Sequence, residues 1–501
     1  MSRNYLVLLL FAVIIGSSSG KLNAQGADDV LRYSLQYPTY DPVSIVMPGV
    51  SSATGFGAYQ ENPASMALFD EGFISFGLSS RFVNEETSYL GNSSDFDDNE
   101  TNIGDIGFVY KVPTRRGKLV VGGGYSQASD YNRAFSGSGR NNQSSITDFY
   151  ASFPRDNPLN EAAFQAFAID DVEVTDNGET ILVSESIFRI GTDFLGIDQS
   201  FETTESGVLG DYSAFIATEF QKNLFVGLSI GVLSGNYSFR RSFLESDGPN
   251  LYDADFIDSD GDGQADTDVD NILNEDSIDA DFTGFSGRLG FLYKVLDNLN
   301  IGGSYQFNGK LTVDEEFGTE ITTSLDNGSE PFFGEDLGEF SYKIERPDRI
   351  NVGASLEDVN GFTISIMAEG VRYSNGRIEF DSIRDTEAED DINNTVESNL
   401  EDVINVRGGV EYKFNPLFST RAGYGYYPSP QKNEGATRQF FSGGFSAQIF
   451  NNVSFDLGLQ YSIWEDSNQL YDYFEGDQLV AETVQEDVTR WNVMAGIKVG
   501  L

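Results

Sequence analysis

Alternating acidic side chains form a pattern that could bind a metal ion. The segment from Asp258 to Asp266 has a D-x-D-x-D-G-x-x-D spacing, with Gly263 where such loops turn sharply. Carboxylate and amide oxygens at alternate positions can surround one Ca²⁺. The candidate ligands are Asp258, Asp260, Asp262, Gln264 and Asp266. Val269 occupies the position of the bidentate Glu of an EF-hand, so we predict a structural calcium loop, with an unliganded acidic loop as the alternative.

Two residue types that carry much enzyme chemistry are absent from the sequence. The 501 residues contain no His and no Cys. This excludes a Ser–His–Asp hydrolase and any thiolate chemistry. Because no nucleophile is placed beside a base, we predict that the chain is not an enzyme, and we expect no cofactor other than the calcium ion. The net charge of −48 argues against nucleic acid as a partner.

Three charged side chains occur on strand faces that otherwise carry small residues. Arg407 and Glu411 share a face with Gly409, and Arg421 shares one with Gly423. If these segments are neighbouring strands of a barrel, the charges meet inside it and must be paired or hydrated. We interpret them as a salt bridge that holds a plug, with gating or direct ligand contact as the alternative.

The elements that would position these residues are amphipathic strands. Residues 452–464 and 491–501 alternate apolar side chains with polar or small ones. A period of two held for about ten residues matches a tilted strand that crosses a bilayer. The 53 glycines and the 13% of aromatic residues are also typical of transmembrane barrels.

Fourteen such strands are predicted, joined alternately by short turns and long loops. The predicted strands are 72–84, 101–113, 117–130, 211–222, 224–243, 280–294, 298–316, 337–357, 361–383, 400–413, 417–428, 437–449, 452–466 and 488–501. We therefore expect an all-β fold, a 14-stranded antiparallel transmembrane β-barrel with both termini in the periplasm. The longest connections are an extracellular insertion at 131–210 and an acidic extracellular loop at 244–280. Residues 1–25, with Arg3 before an apolar run, are predicted to be a signal peptide.

A second pattern precedes the first predicted strand. A Gly-x-Gly segment is followed by Asn-Pro-Ala, then by a short apolar stretch that contains Phe. This order resembles the N-terminal hatch of the FadL/TodX family of outer-membrane transporters for long-chain fatty acids and other hydrophobic compounds. The likeness rests on Gly55, Gly57, Asn62, Pro63, Ala64 and Phe69, and on segments 122–125, 346–353, 405–412 and 421–424. Only four residues separate the second Gly from the Asn, where the family usually has a longer stretch.

The resemblance implies a monomeric channel in the outer membrane of a Gram-negative bacterium. A hatch formed by residues 26–71 would close the barrel of residues 72–501 and move to allow passive uptake of long-chain fatty acids or other hydrophobic small molecules. The molecule would leave sideways into outer-membrane lipid through a kink in the third strand. Gly122, Gly123 and Gly124 are the candidate kink, because glycine weakens a strand and permits bulges. Close packing of the hatch against these glycines is the alternative.

A ligand-collecting site is predicted in the insertion after the third strand. Residues 157–170 carry apolar side chains at helical spacing, including Leu159 and Ala163. The resemblance implies that an exposed apolar helix collects the hydrophobic molecule, with Phe164 and Phe167 as the contact residues. Alternatively, these rings only pack the loop onto the barrel rim.

Two other functions are compatible with a barrel. One is a scaffold in an outer-membrane secretion or surface-attachment complex, which would have a partner-binding surface and no apolar pocket in the lumen. The other is a porin for polar or cationic solutes, suggested by the acidic loops, which would have an open charged constriction and no hatch.

Overall fold

The structure is a computed structural model of the chain. It describes residues 26–37, 41–176, 179–190, 193–252, 255–258, 263–329, 331–380, 386–432, 435, 437–475 and 478–501. The predicted signal peptide therefore lies outside the described residues, as do Asp260 and Asp262 of the predicted calcium loop.

Most of the described chain is antiparallel β-structure. The strands are β1 (Phe73–Tyr89), β2 (Asn92–Lys111), β3 (Leu119–Asp130), β4 (Arg133–Asn141), β5 (Ile169–Asp176), β6 (Glu179–Ser186), β7 (Ile197–Gln221), β8 (Leu224–Ser246), β9 (Val269–Leu296), β10 (Leu299–Phe307), β11 (Lys310–Leu325), β12 (Phe332–Glu345), β13 (Arg349–Val359), β14 (Phe362–Arg372), β15 (Arg377–Phe380), β16 (Asp402–Asn415), β17 (Phe418–Tyr427), β18 (Arg438–Phe450), β19 (Val453–Glu475) and β20 (Gln478–Gly500). β5 and β6 form a separate hairpin, and the others form one sheet. β1 pairs with β20 from Phe73↔Gly500 to Ser88↔Gln485, which closes the sheet into a barrel.

The barrel wall has fourteen strands, because four of them are each built from two segments. β3 and β4 both pair with β7, and β10 and β11 both pair with β9. On the other side of β10 and β11, β13 pairs with β10 and β12 pairs with β11. β14 then pairs with β13, and β15 pairs with β12. The prediction of a 14-stranded antiparallel barrel is confirmed.

The wall strands alternate between exposed apolar and buried side chains. On β8, Leu228 and Ile230 are exposed, whereas Phe225 and Ser229 are buried. On β14, Ile366 is likewise exposed. An apolar outer face is stable against lipid tails. A closed barrel also pairs the backbone groups of neighbouring strands, which hydrocarbon would otherwise leave unsatisfied.

The barrel has a short-turn end and a long-loop end. At the short-turn end, the N–H of Leu501 donates to Gly72 O at 2.9 Å, so both ends of the barrel sequence meet there. At the long-loop end, the strands run further than predicted. β8 continues to Ser246 and β9 begins at Val269, so the acidic loop spans 247–268 and the predicted 244–280 is wrong. The apolar alternation ends with the membrane, but the hydrogen-bonded ladder continues into water with polar residues on both faces.

The described part of residues 26–71 fills the lumen, which is the space inside the wall, and we call it the hatch. Its helices are α1 (Ala27–Ser34), α2 (Ala58–Glu61) and a 3₁₀ helix (Pro63–Leu68). From residue 41 to residue 67, every side chain except Ala53 and Thr54 is buried. The hatch therefore serves as the core of the half of the barrel nearer the short-turn end.

The predicted insertion at 131–210 is shorter than expected, because β4 pairs with β7 and β7 begins at Ile197. We call residues 142–196 the cap. It contains α3 (Ile146–Ser152), α4 (Pro158–Gln165), the β5–β6 hairpin and a 3₁₀ helix (Ile187–Arg189). Ile146, Tyr150 and Phe188 belong to an apolar core that includes Phe243 of β8, which fixes the cap on the wall.

Two further elements lie near the end of the ninth wall strand, a 3₁₀ helix (Tyr373–Asn375) and α5 (Thr386–Asn399). Among the described residues, no helix is both long enough and apolar enough to cross a bilayer.

Candidate functional site

A buried carboxylate organises the first turn of the hatch. Asp41 Oδ1 accepts hydrogen bonds from the N–H groups of Val43 at 2.8 Å and Ser44 at 3.0 Å. Its Oδ2 accepts from Ser44 Oγ at 2.7 Å and from Gly57 N at 2.5 Å. A Cβ on Gly55 would overlap the same carboxylate. The predicted Gly-x-Gly segment therefore lines a pocket that holds the Asp41 carboxylate. Sequence reasoning did not identify Asp41.

Asn62 joins two parts of the hatch to each other and to the wall. Its Nδ2 donates to Val50 O at 2.6 Å and to Phe291 O of β9 at 3.0 Å, and its Oδ1 accepts from Ala64 N at 3.0 Å. Pro63 is the first residue of the 3₁₀ helix. At this position its fixed φ suits the helix, and its missing N–H leaves no helical hydrogen bond unmade. The Asn-Pro-Ala motif is therefore a buried turn whose side chain holds the hatch against the barrel.

Glycines of the wall make room for this turn. A Cβ on Gly290 would overlap Asn62, and a Cβ on Gly227 would overlap Pro63 and Ala64. Gly227 and Gly290 are direct partners on β8 and β9. The close approach of hatch and wall depends on these two positions having no side chain. Phe69 packs separately, edge-on against Phe73 of β1 at 5.0 Å between ring centroids.

The three predicted lumenal charges are divided between two pairs. Arg407 Nη1 is paired with Glu61 Oε1 of the hatch, and its Nη2 donates to Ser44 O. Arg421 is paired with Glu411 across the β16–β17 ladder at 2.6 Å. The partner of Arg407 is therefore a hatch carboxylate that sequence reasoning did not consider. Arg407 ties the hatch to the wall, whereas Arg421 and Glu411 connect two wall strands.

Gly122, Gly123 and Gly124 lie in a fully paired part of the third strand. All three pair with β2 on one side and with β7 on the other. The register shifts further along, between Gln127 and Ser129, and β3 ends at Asp130. Gly124 has φ of 157° although it is paired on both sides, so a kink at the three glycines stays a prediction, and the register shift lies beyond them.

The wall is interrupted beside this irregularity. β2 pairs with β3 from Asp105 to Lys111. In the described part of the chain, residues 92–104 of β2 pair with β1 alone. We call this missing pairing the β2–β3 gap.

β4 leaves the wall at the gap and turns into the lumen. Thr87 Oγ1, on the buried face of β1, donates to Ser136 O, and Asn92 Nδ2 donates to Ser138 O at 2.9 Å. β4 therefore lies against the inner face of the first hairpin while its other edge pairs with β7.

Charged side chains surround the β2–β3 gap. Arg81 of β1 lies 3.5 Å from carboxylate oxygens of both Asp98 and Glu100 on β2, and it is also paired with Asp130 of β3. Arg490 of β20 lies 3.8 Å from the same Asp130. Arg81 is 1% exposed, so it links the two edges of the gap from inside.

A cavity of about 2540 Å³ lies between α1 and the cap at the long-loop end. Phe149, Phe153 and Leu159 of the cap line it, together with Tyr131 after β3. Trp464 lines the opposite side. The cavity therefore combines aromatic surface with the charged residues of the gap.

The two predicted collecting residues lie away from this cavity lining. The helix ends at Gln165, since Phe167 has a left-handed backbone with φ of 56°. Phe167 packs against Phe332 of β12 with 4.4 Å between ring centroids, and Phe164 is 41% exposed. Phe149 and Phe153, which precede α4, are the aromatic residues of this segment that line the cavity.

The predicted calcium loop is described in part. Gly263 has φ of 85°, and its N–H donates to Asp258 Oδ2 at 2.7 Å. Asp260 and Asp262 lie outside the described residues, and within these no group of three or more acidic, His or Cys side chains could hold a metal ion. Calcium binding by Asp258, Gln264 and Asp266 with the two others stays a prediction.

Comparison with known proteins identifies the family. The model of the family described as "Outer membrane protein transport protein (OMPP1/FadL/TodX)" matches residues 213–498, more than half of the chain. Among curated proteins, no sequence match was found.

Solved structures share the fold. The toluene transporter TodX of P. putida has 14% identity and a TM-score of 0.53, covering 92% of this chain and 98% of its own. A FadL homologue of Pseudomonas aeruginosa has 12% identity and a TM-score of 0.51, covering 93% of this chain and 98% of its own. The chain belongs to the FadL/TodX family of outer-membrane transport proteins for hydrophobic compounds and is a channel of the Gram-negative outer membrane, not an enzyme.

Proposed function

We propose that this protein carries long-chain fatty acids or other hydrophobic small molecules passively across the outer membrane. The molecule enters the cavity at the long-loop end, passes when the hatch moves, and leaves sideways through the β2–β3 gap into lipid. Because lumen, hatch and gap all lie within one barrel, a monomer suffices for this path.

The cavity suits the first step. Aromatic side chains such as Phe149, Phe153 and Trp464 offer apolar contact area inside a space of about 2540 Å³. Charged side chains such as Asp148 and Arg189 also make up much of the lining, so a hydrophobic molecule would bind on the aromatic surface between them. A hydrophobic molecule gains free energy there by leaving water.

The hatch is held by contacts that water can replace. Wall side chains donate to hatch carbonyls: Ser355 Oγ to Ser51 O at 2.7 Å, and Ser365 Oγ to Pro48 O at 2.9 Å. Each such bond contributes about 1 kcal/mol net, because it competes with hydrogen bonds to water. Displacement of the hatch therefore breaks many weak bonds and one buried ion pair, that of Arg407 with Glu61.

The observation that carries the proposal is the β2–β3 gap. A closed barrel in lipid normally pairs every strand edge, since an unpaired backbone is costly there. Here residues 92–104 of β2 lack a strand partner on one side within the described chain, and β4 is turned inward beside them. Residues 92–102 are nearly all polar, so the gap meets lipid only at its inner end near Ile103, where the exposed apolar side chains of β2 begin. That end supports a path from the lumen to the membrane that a porin with a continuous wall would not need.

Thiol labelling tests the path, because the sequence has no native Cys. Asn102→Cys places a thiol at the edge of the gap, and Ser442→Cys places one on β18, whose neighbours β17 and β19 both pair with it. After attachment of a bulky maleimide, confirmed by mass, we expect the Asn102 variant to lose fatty acid uptake several-fold and the Ser442 variant to keep it.

Equal uptake by both labelled variants would contradict lateral exit. Uptake of a polar sugar by the unlabelled protein would favour the porin, and a stable protein partner recovered with no uptake of any solute would favour the scaffold.

A further inference from the structure

The outer part of β2 presents a strand edge that the proposed exit path does not use. Residues 92–104 pair with β1 on one side, and no strand of the described chain pairs with them on the other. The exit path needs only the end near Ile103, where the apolar outer face of β2 begins. Residues 93–101 are nearly all polar and lie beyond the membrane, and we call their open side the β2 edge.

The turn between β1 and β2 fixes which backbone groups the β2 edge presents. Leu90 has φ of 48° and Gly91 has φ of 85°, which fits a two-residue type I′ turn. Tyr89 and Asn92 close such a turn as a hydrogen-bonded pair, and along an antiparallel ladder these pairs alternate with pairs that are not hydrogen-bonded. By this alternation, the N–H and C=O groups that point away from β1 belong to Ser93, Asp95, Asp97, Asn99 and Thr101.

β4 leaves the β2 edge open. Hydrogen bonds from the side chains of Thr87 and Asn92 hold β4 against the inner face of the first hairpin, while β4 itself pairs with β7. The five side chains whose backbone groups form the edge are all exposed. A strand added here would continue the ladder beyond β3. In recognition by strand addition, main-chain hydrogen bonds supply the affinity.

The charge of the β2 edge indicates the chemistry of its partner. Residues 92–104 contain four acidic residues and neither Lys nor Arg. Asp98 and Glu100 lie 3.5 Å from Arg81 on the inner side. Asp95 and Asp97 are exposed on the outer side and form no ion pair within the part of the chain that the structure describes. The edge therefore presents uncompensated negative charge to the solvent.

A row of like charges crosses the outer face beside this edge. Asp95 is directly opposite Glu86 of β1. The row continues with Asp487 of β20 and Glu465 of β19, and all four side chains are exposed. Like charges directly opposite each other on a sheet are destabilising, so cationic side chains at the end of this row would relieve the repulsion. A second copy of the chain would instead add its own acidic edge, and charged edge residues are a known protection against such pairing.

We propose that an extended segment of a partner protein, rich in Lys or Arg, pairs with the β2 edge along residues 93–101. The backbone ladder supplies the affinity, and basic side chains at alternate positions meet Asp95 and Asp97 on the outer face. This interaction goes beyond transport. It gives the long-loop end a protein-binding surface and leaves the exit path near Ile103 open.

Peptide binding to the purified full-length protein in nonionic detergent tests this surface. The probe is a synthetic peptide of alternating Lys and Thr, long enough to cover residues 93–101. One control is its fully N-methylated form, which keeps the charge but cannot donate backbone hydrogen bonds. The other has Glu in place of Lys. We expect the Lys–Thr peptide to bind at least about tenfold more tightly than either control, and equal binding of the N-methylated form would overturn the proposal.

Amide hydrogen exchange distinguishes an added strand from loose attraction between charges. With the Lys–Thr peptide bound, we expect slower exchange at Asp95, Asp97 and Asn99, whose N–H groups point to the open side. Exchange at Phe96 and Asp98 should not change, because their N–H groups are already bonded to β1. Equal slowing at both sets of residues, or slowing at neither, would contradict strand addition.

Variants separate the contributions of backbone and charge. Asn99→Pro removes one donor from the edge and keeps the ladder with β1, so peptide binding should be lost. Asp95→Asn combined with Asp97→Asn should weaken binding at least about tenfold. The matched control is Asp281→Asn combined with Asp314→Asn, which removes the same charge from β9 and β11, two strands paired on both sides, and should leave binding unchanged. Binding that survives both edge variants, or that falls equally in the control, would refute the proposed surface.

Sedimentation without peptide tests the other possible occupant. We expect the parent protein and Asn99→Pro both to be monomers, and heat-modifiable migration in electrophoresis should show that the variant barrel is folded. A dimer of the parent that Asn99→Pro abolishes would assign the β2 edge to a second copy of the chain and overturn the proposal of a basic partner.

Discussion

Arg407 makes a fully buried ion pair between wall and hatch, whereas the pairs of Arg32 with Glu205 and of Asp70 with Lys118 are partly exposed. Its partner Glu61 also accepts the N–H of Gly49, so one buried carboxylate holds two hatch segments and one wall strand. Removing one member of a buried ion pair costs about 3–5 kcal/mol, because the other charge is left uncompensated.

We expect Arg407→Ala to release the hatch. Cells that carry it should become more permeable to polar antibiotics, and single-channel conductance of the purified protein should rise. Arg421→Ala is the matched control, since it breaks the pair with Glu411 on the wall and should destabilise the barrel without opening it. The conductance of the double variant Arg407→Ala with Glu61→Ala should be closer to that of the parent. Equal conductance in the Arg407 and Arg421 variants would contradict the role of Arg407 in holding the hatch.

Asp268 lies at the end of the acidic loop, outside the membrane. Burial raises its pKa to about 7, with a further contribution from the charge of Asp326. The folded-state pKa is thus above the unfolded value of 3.8, so folding favours the protonated form. The stabilising contribution is complete below about pH 4 and is lost as the pH rises through about 7.

Protection from hydrogen exchange in the acidic loop, residues 247–268, should decrease as the pH rises. After correction for intrinsic rates, we expect stronger protection at about pH 5.5 than at about pH 8.5, and we expect Asp268→Asn to remove the difference. A pH dependence unchanged in the variant would show that another group is responsible. Addition of Ca²⁺ at the higher pH tests the predicted calcium loop, which should regain protection if it binds the ion.

At the scale of elements, β2 and β4 determine the β2–β3 gap. β4 cannot continue the ladder with β2, because it bends inward after the register shift near Gln127. The free part of β2 is then held mainly by β1 and by Arg81, whose guanidinium contacts Asp98 and Glu100.

We expect Arg81→Gln to loosen the free part of β2. Without the guanidinium, Asp98, Glu100 and Asp130 repel one another, so amide hydrogen exchange across residues 92–104 should become faster. Arg140→Gln is the control, because it removes an exposed pair with Asp198, at 2.8 Å, away from the gap. Exchange at β2 that is the same in both variants would show that Arg81 does not hold the edge.

At the scale of the molecule, the barrel closes without help from the hatch. The β1–β20 ladder seals the wall directly, while the hatch enters the lumen from the chain before β1. Its contacts with the wall include side-chain hydrogen bonds, glycine packing and the ion pairs of Arg407, Arg32 and Asp70, and it adds no strand to the sheet. The free energy that stabilises the wall is therefore separate from the free energy that holds the hatch in the lumen.

Deletion of residues 28–69 should leave a folded barrel that has lost its selectivity. We expect heat-modifiable migration in electrophoresis to persist, conductance to increase, and labelled sugar to enter along with fatty acid. Fatty acid uptake that is unchanged while sugar stays excluded would contradict a gating role of the hatch.

Local pattern was enough to predict the architecture. Alternation of apolar and small residues is a property of the extended backbone itself, so the strand number and the barrel class followed from the sequence. The hatch motif likewise pointed to the family, because Asn62 and its neighbours form a local turn. Strand ends at the long-loop end were missed, since the ladder persists where the apolar pattern stops.

Only the tertiary structure decided which distant groups meet. Arg407 shares one face of β16 with Glu411, yet it contacts Glu61 of the hatch, and the register shift of β3 lies beyond Gly124. Periodicity is set by a few neighbouring residues, whereas pairing of buried charges depends on how the whole wall encloses the hatch.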